Sequence, residues 1–190
     1  TTWIYVLSLH DALPFCFLEK MRGIPRKTRP NVREASATFC CAFVVVWVMA
    51  TLVDHFVDDW TGVMLIPSFG ASCIVVFGTP ESQYAQPRNV ILGHMISALA
   101  GVLAYQFAGS TPFGAALAVG LAGAAMHLAA SMHPPGGATA LLAVIGDAGL
   151  HGQGLGYVFM PVGTGATLIV VLGIILNNLC LHRRYPTHWL

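Results

Sequence analysis

The 190 residues are 56% hydrophobic and only 9% charged, with a formal net charge of +1. A soluble domain carries roughly 25% charged residues, because water must solvate its surface. Small domains leave much of their chain at that surface, so a water-soluble globule of this composition is excluded. From Asn89 to Gly146 there is no Lys, Arg, Asp or Glu, and lipid is the solvent that suits such a stretch.

The chain opens on TTWIYVLSLHDALPF, residues 1–15, an apolar run broken by His10 and Asp11. Its basic residues come after it, whereas a signal peptide begins with them. It lacks an initiator Met and looks like translated adapter sequence, so the natural chain is expected to begin near Met21. Lys20, Arg22, Arg26, Lys27, Arg29 and Arg33 then crowd ahead of the first long apolar run, and Arg183 and Arg184 follow the last. Positive flanks stay on the cytoplasmic side. Residues 1–34 and the tail 183–190 are therefore expected in the cytoplasm, around a transmembrane domain over 35–182, with an even number of crossings. A basic arm also suits nucleic acid; beside a span, topology is the simpler reading, and no nucleic-acid partner is expected.

A hydrocarbon core of about 30 Å takes about 20 helical residues. Residues 35–53, 89–108, 113–131 and 157–179 supply four such stretches. Two further apolar pieces are shorter. Residues 69–78 follow Ile66-Pro67-Ser68, and residues 137–146 follow His133-Pro134-Pro135-Gly136. Each gives about ten helical residues, or about 15 Å, half a membrane. Proline suits a helix start and not its interior, so each piece reads as an extended lead followed by a half-helix.

The two pieces resemble each other. Pro67-Ser68-Phe69-Gly70-Ala71-Ser72 aligns with Pro134-Pro135-Gly136-Gly137-Ala138-Thr139 at an offset of 67 residues. The expected fold is thus an all-α membrane protein with four long transmembrane helices and two short Pro/Gly-initiated half-helices, arranged in two repeats. If the half-pieces cross, there are six passages and the repeats are inverted; if they re-enter, there are four. The positive-inside rule favours six, because it then places Arg88 inside.

Irregular backbone at membrane depth is tolerated only where protein or a water-filled cavity satisfies its polar groups. Matching broken segments in two halves also mark the binding site of a transporter. A half-helix start aims N–H donors and a positive dipole end at the midplane, which suits an anion. The expected donors are Gly70, Ala71 and Ser72, and Gly137, Ala138 and Thr139, with the hydroxyls of Ser72 and Thr139 adding orientable hydrogens. Glycine and proline that merely pack or kink helices are the competing reading. Histidine side chains ordinarily titrate near neutral pH, so His133 is a candidate for gating or for passing a proton; capping backbone carbonyls is its structural alternative. Arg88 either attracts anions or anchors the interface. His94, His127 and the Asn177-Asn178 pair read as interhelical hydrogen-bonding groups.

Five cysteines without a CxxC pair give neither a disulfide framework nor a metal site. Gly152–Gly156 lacks nucleotide-binding spacing, and no nucleophile or carboxylate pair suggests an enzyme. No metal and no cofactor are expected.

Ser131-Met132-His133-Pro134-Pro135-Gly136-Gly137-Ala138-Thr139-Ala140 closely resembles the HPP family of integral membrane proteins, named for its His-Pro-Pro. The likeness extends through Pro67–Ser72, Phe77-Gly78, Gln86-Pro87-Arg88-Asn89, Gly93-His94, Asn177-Asn178 and Tyr185-Pro186 to Trp189, over about residues 28 to 190. Gly136 stands where many relatives have Ala, with little expected consequence. The resemblance implies four transmembrane helices, against the six passages above. It also implies nitrite transport, an activity associated with some members, while some relatives carry an added pair of CBS domains. The function expected is a transporter or channel for a small monovalent anion, nitrite foremost. The alternative is a membrane-embedded ligand sensor that binds without flux. The expected surroundings are a lipid bilayer, a bacterial plasma membrane by the resemblance, with room for a homo-oligomer and a cytoplasmic regulatory partner.

Overall fold

The computed structural model describes residues 31–56, 66–180 and 182–189. Residues 1–15 and most of the basic flank lie outside these. Every regular element among the described residues is helical. They are α1 (Val32–Phe56), α2 (Pro67–Gly78), a short 3-10 turn at Gln83–Ala85, α3 (Pro87–Ala108), α4 (Pro112–Leu128), α5 (Gly136–Ile145), α6 (Ala148–Gln153) and α7 (Thr164–Leu179), which continues a π-type turn over Val158–Gly163.

Local chemistry sets the boundaries. Proline occupies the first turn of α2, α3 and α4, where its missing N–H costs nothing and its fixed φ suits the helix. Thr111 caps α4 by accepting the Gly114 N–H at 3.0 Å, and Asp147 caps α6 by accepting that of Leu150 at 2.9 Å.

Three helical segments of 22 residues, Val32–Val53, Pro87–Ala108 and Val158–Leu179, are long and apolar enough to cross a membrane. The fourth expected long helix is shorter than 113–131. It is the 17-residue α4, which ends at Leu128. Ala130 then takes a positive φ of 47°, and the chain runs without helix to Pro135. The cause is the proline pair, since a residue before proline is pushed out of the helical region. The two half-helices form as expected, α2 with 12 residues and α5 with 10.

Side-chain bonds fix the directions. Thr38 Oγ1 donates to Phe77 O at 2.9 Å, setting the start of α1 beside the end of α2. Asn89 Nδ2 donates to Met132 O at 2.9 Å, so the chain leaving α4 passes the start of α3. Ser110 Oγ donates to Val144 O at 2.6 Å, which places the end of α5 beside the α3–α4 turn. Asn177 Nδ2 donates to Val76 O at 3.2 Å, bringing the end of α7 to the end of α2. So α1, α3 and α5 run one way and α2, α4 and α7 return. The starts of α2 and α5 both lie part-way through the bundle, about 15 Å from their own ends. Helix α3 is the hub and touches α4, α5 and α7. It lies so close to α5 that a Cβ on Gly101 would stand 2.5 Å from Ala140 O.

The C-terminal segment is folded rather than free. The Arg183 guanidinium pairs with the Glu34 carboxylate and donates to Phe77 O and Asn177 Oδ1, both at 3.0 Å. Tyr185 is buried, and its hydroxyl donates to Ala85 O at 2.7 Å. Asn177 thus serves α2 and Arg183, and Asn178 Oδ1 accepts from the Tyr185 N–H at 3.2 Å. The start of α1 and residues 182–189 therefore share one end of the bundle. In a cysteine-free background, single cysteines at Arg33 and Arg184 should react with an impermeant maleimide from the same side. A cysteine at exposed Gly152 on α6 should react from the other. Opposite labelling of the first pair would overturn this arrangement.

Candidate functional site

Prolines place the site. With Pro67 opening α2, Ser68 and Ser72 fall one turn apart on the same helix face, and both are buried. On α5, Thr139 occupies the first turn after Pro134 and Pro135, again buried. His94 of α3 lies between them. Ser72 Oγ is 2.7 Å from His94 Nε2, and Thr139 Oγ1 is 2.7 Å from His94 Nδ1. The two repeat-equivalent hydroxyls therefore hold the two nitrogens of one imidazole.

The cluster extends in both directions. Ser72 Oγ is also 2.9 Å from His133 Nε2 and 3.0 Å from Ser68 O. His133 Nδ1 is 2.7 Å from Tyr84 O, and Thr139 Oγ1 is 2.8 Å from Ser68 Oγ. The imidazole centroids are 4.8 Å apart, and Phe69 sets its ring edge-on to His94 at 5.5 Å. Ser72, His94, His133 and Thr139 all have 0% exposure. Burial on this scale is tolerable only because each polar atom has a partner. The packing that holds it is tight. A Cβ on Gly93 would lie 2.6 Å from His133 Cβ and 2.9 Å from Ser131 O, so glycine lets the extended segment lie against α3. A Cβ on Gly136 would lie 2.5 Å from Ser97 Oγ. An alanine there requires that hydroxyl to turn away, so the substitution is less neutral than expected.

Of the residues expected at the site, Ser72, Thr139 and His133 come together. Gly70, Ala71 and Ala138 are exposed on the outside of the bundle, and Gly137 is half-buried with nothing within 4 Å of a Cβ placed on it. Nor are the backbone donors on α5 free. The N–H of Gly137 donates to Pro134 O at 3.0 Å, and those of Ala138 and Thr139 to Pro135 O at 3.1 and 3.4 Å. Gly70 is the fourth residue of α2, and Ala71 and Ser72 lie beyond the four N–H groups that a helix leaves unpaired. The expected cradle of backbone N–H groups is thus replaced by side-chain hydroxyls and imidazoles. Arg88 donates to Ala129 O at 3.1 Å, closing the C-terminal end of α4 away from the histidine pair.

His94 is the residue whose central place sequence reasoning missed. The available signal was an ionisable side chain in the apolar run that follows Arg88, which marks a functional position by default. A polar hollow of about 220 Å³ is lined by Gln83, Tyr84, Asn89, His127 and Met132 among others. Tyr84 joins the hollow to the cluster, because its carbonyl faces His133 Nδ1. All four ring nitrogens of the pair face oxygen partners, which leaves no lone pair directed at a metal. No group of three or more His, Cys, Asp or Glu side chains converges among the described residues.

An apolar helical bundle with a buried polar cluster where two short helices meet has the character of an integral membrane protein. The chain belongs to the HPP family: the family model described as "HPP, transmembrane region" matches residues 27–186. A transmembrane protein of Dictyostelium discoideum is 36% identical over 179 residues, covering 91% of this chain and 57% of its own length. A second from the same organism is 35% identical over 181 residues, covering 91% of this chain and 63% of its own. The chain thus spans about three-fifths of the length of these curated relatives. No solved structure matches it.

Two stability outcomes follow from this geometry. Thr139→Val leaves His94 Nδ1 buried without a partner, at a cost of about 1–3 kcal/mol. It should lower the midpoint of thermal aggregation in detergent, while Thr139→Ser keeps it near wild type. An unchanged midpoint in the valine variant would mean that this hydroxyl is not the partner. Gly93→Ala should sharply reduce the yield of monodisperse protein, and Gly137→Ala should not. Equal yields would contradict the close approach at Gly93.

Proposed function

We propose that the protein carries a small monovalent anion, nitrite or an ion of its kind, across the membrane, and that it is a transporter and not an enzyme. The observation that carries this reading is the meeting of the α2 and α5 starts on the His94–His133 pair, beside a polar hollow, inside a bundle that is otherwise apolar. Two helix starts at one depth bring two positive dipole ends together, and that field favours an anion over a cation. Between Asn89 and Gly146 there is no lysine or arginine, so hydroxyl, amide and imidazole hydrogens must supply the attraction. Partial charges of this kind hold a monovalent ion and still release it. Divalent sulfate, more strongly hydrated and offered no fixed counter-charge, is excluded.

The anion enters through the hollow, where the amide side chains of Gln83 and Asn89 and the ring of His127 stand near Tyr84. Ser131, next to Met132 in the lining segment, has a buried hydroxyl without a hydrogen-bond partner, and such a group supports an unfilled binding role. Ser72, Thr139 and His133 form the inner site. Arg88, beside Asn89, adds attraction over longer range. The passages α1 to α5 and α7 are read as six crossings in two inverted repeats. Arg33, Arg183 and Arg184 share one end, so that end is assigned to the cytoplasm of a plasma membrane.

Purified protein in liposomes provides the test. Uptake of nitrite and nitrate should be saturable and above that of protein-free vesicles, and sulfate uptake should not. Flux of a cation without anion flux would overturn the reading. Saturable nitrite binding without flux would assign the protein to sensing instead.

A further inference from the structure

The Tyr84 end of the buried cluster sets a hydrogen-bond order that can run through it. A backbone carbonyl has no hydrogen to give, so in the 2.7 Å contact with Tyr84 O the proton sits on His133 Nδ1. In the neutral ring, Nε2 then accepts, and its partner Ser72 Oγ is the donor at 2.9 Å, with the Ser68 carbonyl competing for the same hydrogen at 3.0 Å. A hydroxyl has a single hydrogen, so the other imidazole must donate to Ser72 through His94 Nε2, at 2.7 Å. His94 Nδ1 is therefore an acceptor, and Thr139 Oγ1 donates to it at 2.7 Å. Thr139 Oγ1 can also donate to Ser68 Oγ at 2.8 Å; with its hydrogen turned to His94 instead, the Ser68 hydroxyl must turn to donate to it. In that orientation five contacts point the same way, from Ser68 to Tyr84. If His133 gains a second proton, both its nitrogens donate, and the remaining hydroxyls and the His94 ring reverse in turn.

We propose that the chain Ser68–Thr139–His94–Ser72–His133 is a proton relay, which moves a proton alongside the transported anion. This rests on the transporter reading above. A proton reaching Ser68 Oγ displaces its hydrogen to Thr139. The Thr139 hydrogen passes to His94 Nδ1, the His94 Nε2 hydrogen to Ser72, and the Ser72 hydrogen to His133 Nε2. At each step one O–H or N–H bond breaks as the next forms, and the positive charge advances. The imidazolium at His133 then gives up its Nδ1 hydrogen past the Tyr84 carbonyl to the anion or to water in the hollow. One proton enters and one leaves, so the hydrogen count of the chain is unchanged.

The surroundings suit this role. The groups facing the rings are Phe69 and Ser72 of α2, Thr139 of α5 and the carbonyl of Tyr84, while Tyr157 reaches only Thr139 O, at 3.3 Å. No carboxylate, lysine or arginine is hydrogen-bonded to either imidazole among the described residues. A travelling proton therefore meets no fixed charge that would trap it. A structural network needs only satisfied bonds; this one also links hydroxyls and imidazoles without a gap, each able both to accept and to donate.

Liposomes loaded with a pH-sensitive dye test the relay. Inward nitrate or nitrite flux should acidify the interior, and an imposed inward proton gradient should drive anion accumulation. Ser72→Ala removes the shared bridge and should cut the proton movement by about a hundredfold, while Ser72→Thr, which keeps the hydroxyl, should retain it. Monodispersity on gel filtration confirms that each variant is folded. Anion uptake without any pH change, or a folded Ser72→Ala that still acidifies, would overturn the relay and leave the transporter reading standing. Failure of the wild type to move either anion would remove both.

Discussion

A histidine in hydrocarbon has no water to satisfy it, and both nitrogens of His94 must find partners inside the protein. The rest of the fold follows from that requirement. The partners are Ser72 and Thr139, each near the start of a short helix, so two helices must begin at the depth of one imidazole. A helix that begins inside a membrane needs an extended lead whose backbone donors are few. Proline at positions 67, 134 and 135 supplies this, because it has no N–H to satisfy and fixes φ. The extended segment around His133 must then lie flat against α3, which only a residue without a side chain at 93 permits. Replacing any one of these parts leaves a polar atom stranded or a backbone displaced.

Lipid tails are as apolar as leucine, so little is gained by burying apolar side chains between helices. Close packing and internal polar contacts have to hold the bundle instead. Small residues let α3 approach α5 at Gly101, and long-range side-chain bonds tie helix ends together, as at Thr38–Phe77 and Ser110–Val144. Arg183 does the same on a larger scale. A single guanidinium joins α1 through Glu34, α2 through Phe77 and α7 through Asn177. Any displacement of residues 182–189 would therefore be felt at the ends of three helices.

Composition, three of the four long spans and the two short apolar helices were legible, because each depends on local rules of hydropathy and proline geometry. The shortening of α4 was legible in principle from Pro134 and Pro135, but an unbroken apolar run to Ser131 masked it. His94 was legible as an ionisable group in an apolar run, but its partners were not, since they lie 22 and 45 residues away and an isolated histidine gives no spacing to read. Arg183 read as a topology flank for the same reason, its acidic partner lying 149 residues away. The backbone donors of Gly137, Ala138 and Thr139 were expected to be free because an ideal helix leaves them so. The tight turns after the proline pair use them up.

The repeat is also where the structure departs from symmetry, and the departure gives the site a direction. Ser72 and Thr139 are equivalent and hold opposite sides of the same ring. His133 has no such counterpart, because the repeat offset carries it to Ile66, a buried apolar residue. A symmetric pair of imidazoles would present the same titratable group toward both ends of the bundle. Here the second imidazole stands on one side only, the side that faces Tyr84 and the polar hollow. A carbonyl that can only accept lies at that end, and a serine hydroxyl that can accept or donate lies at the other. Two halves related by inversion would otherwise be indifferent to direction. A single unmatched histidine is enough to make the two ends of the buried chain chemically unequal.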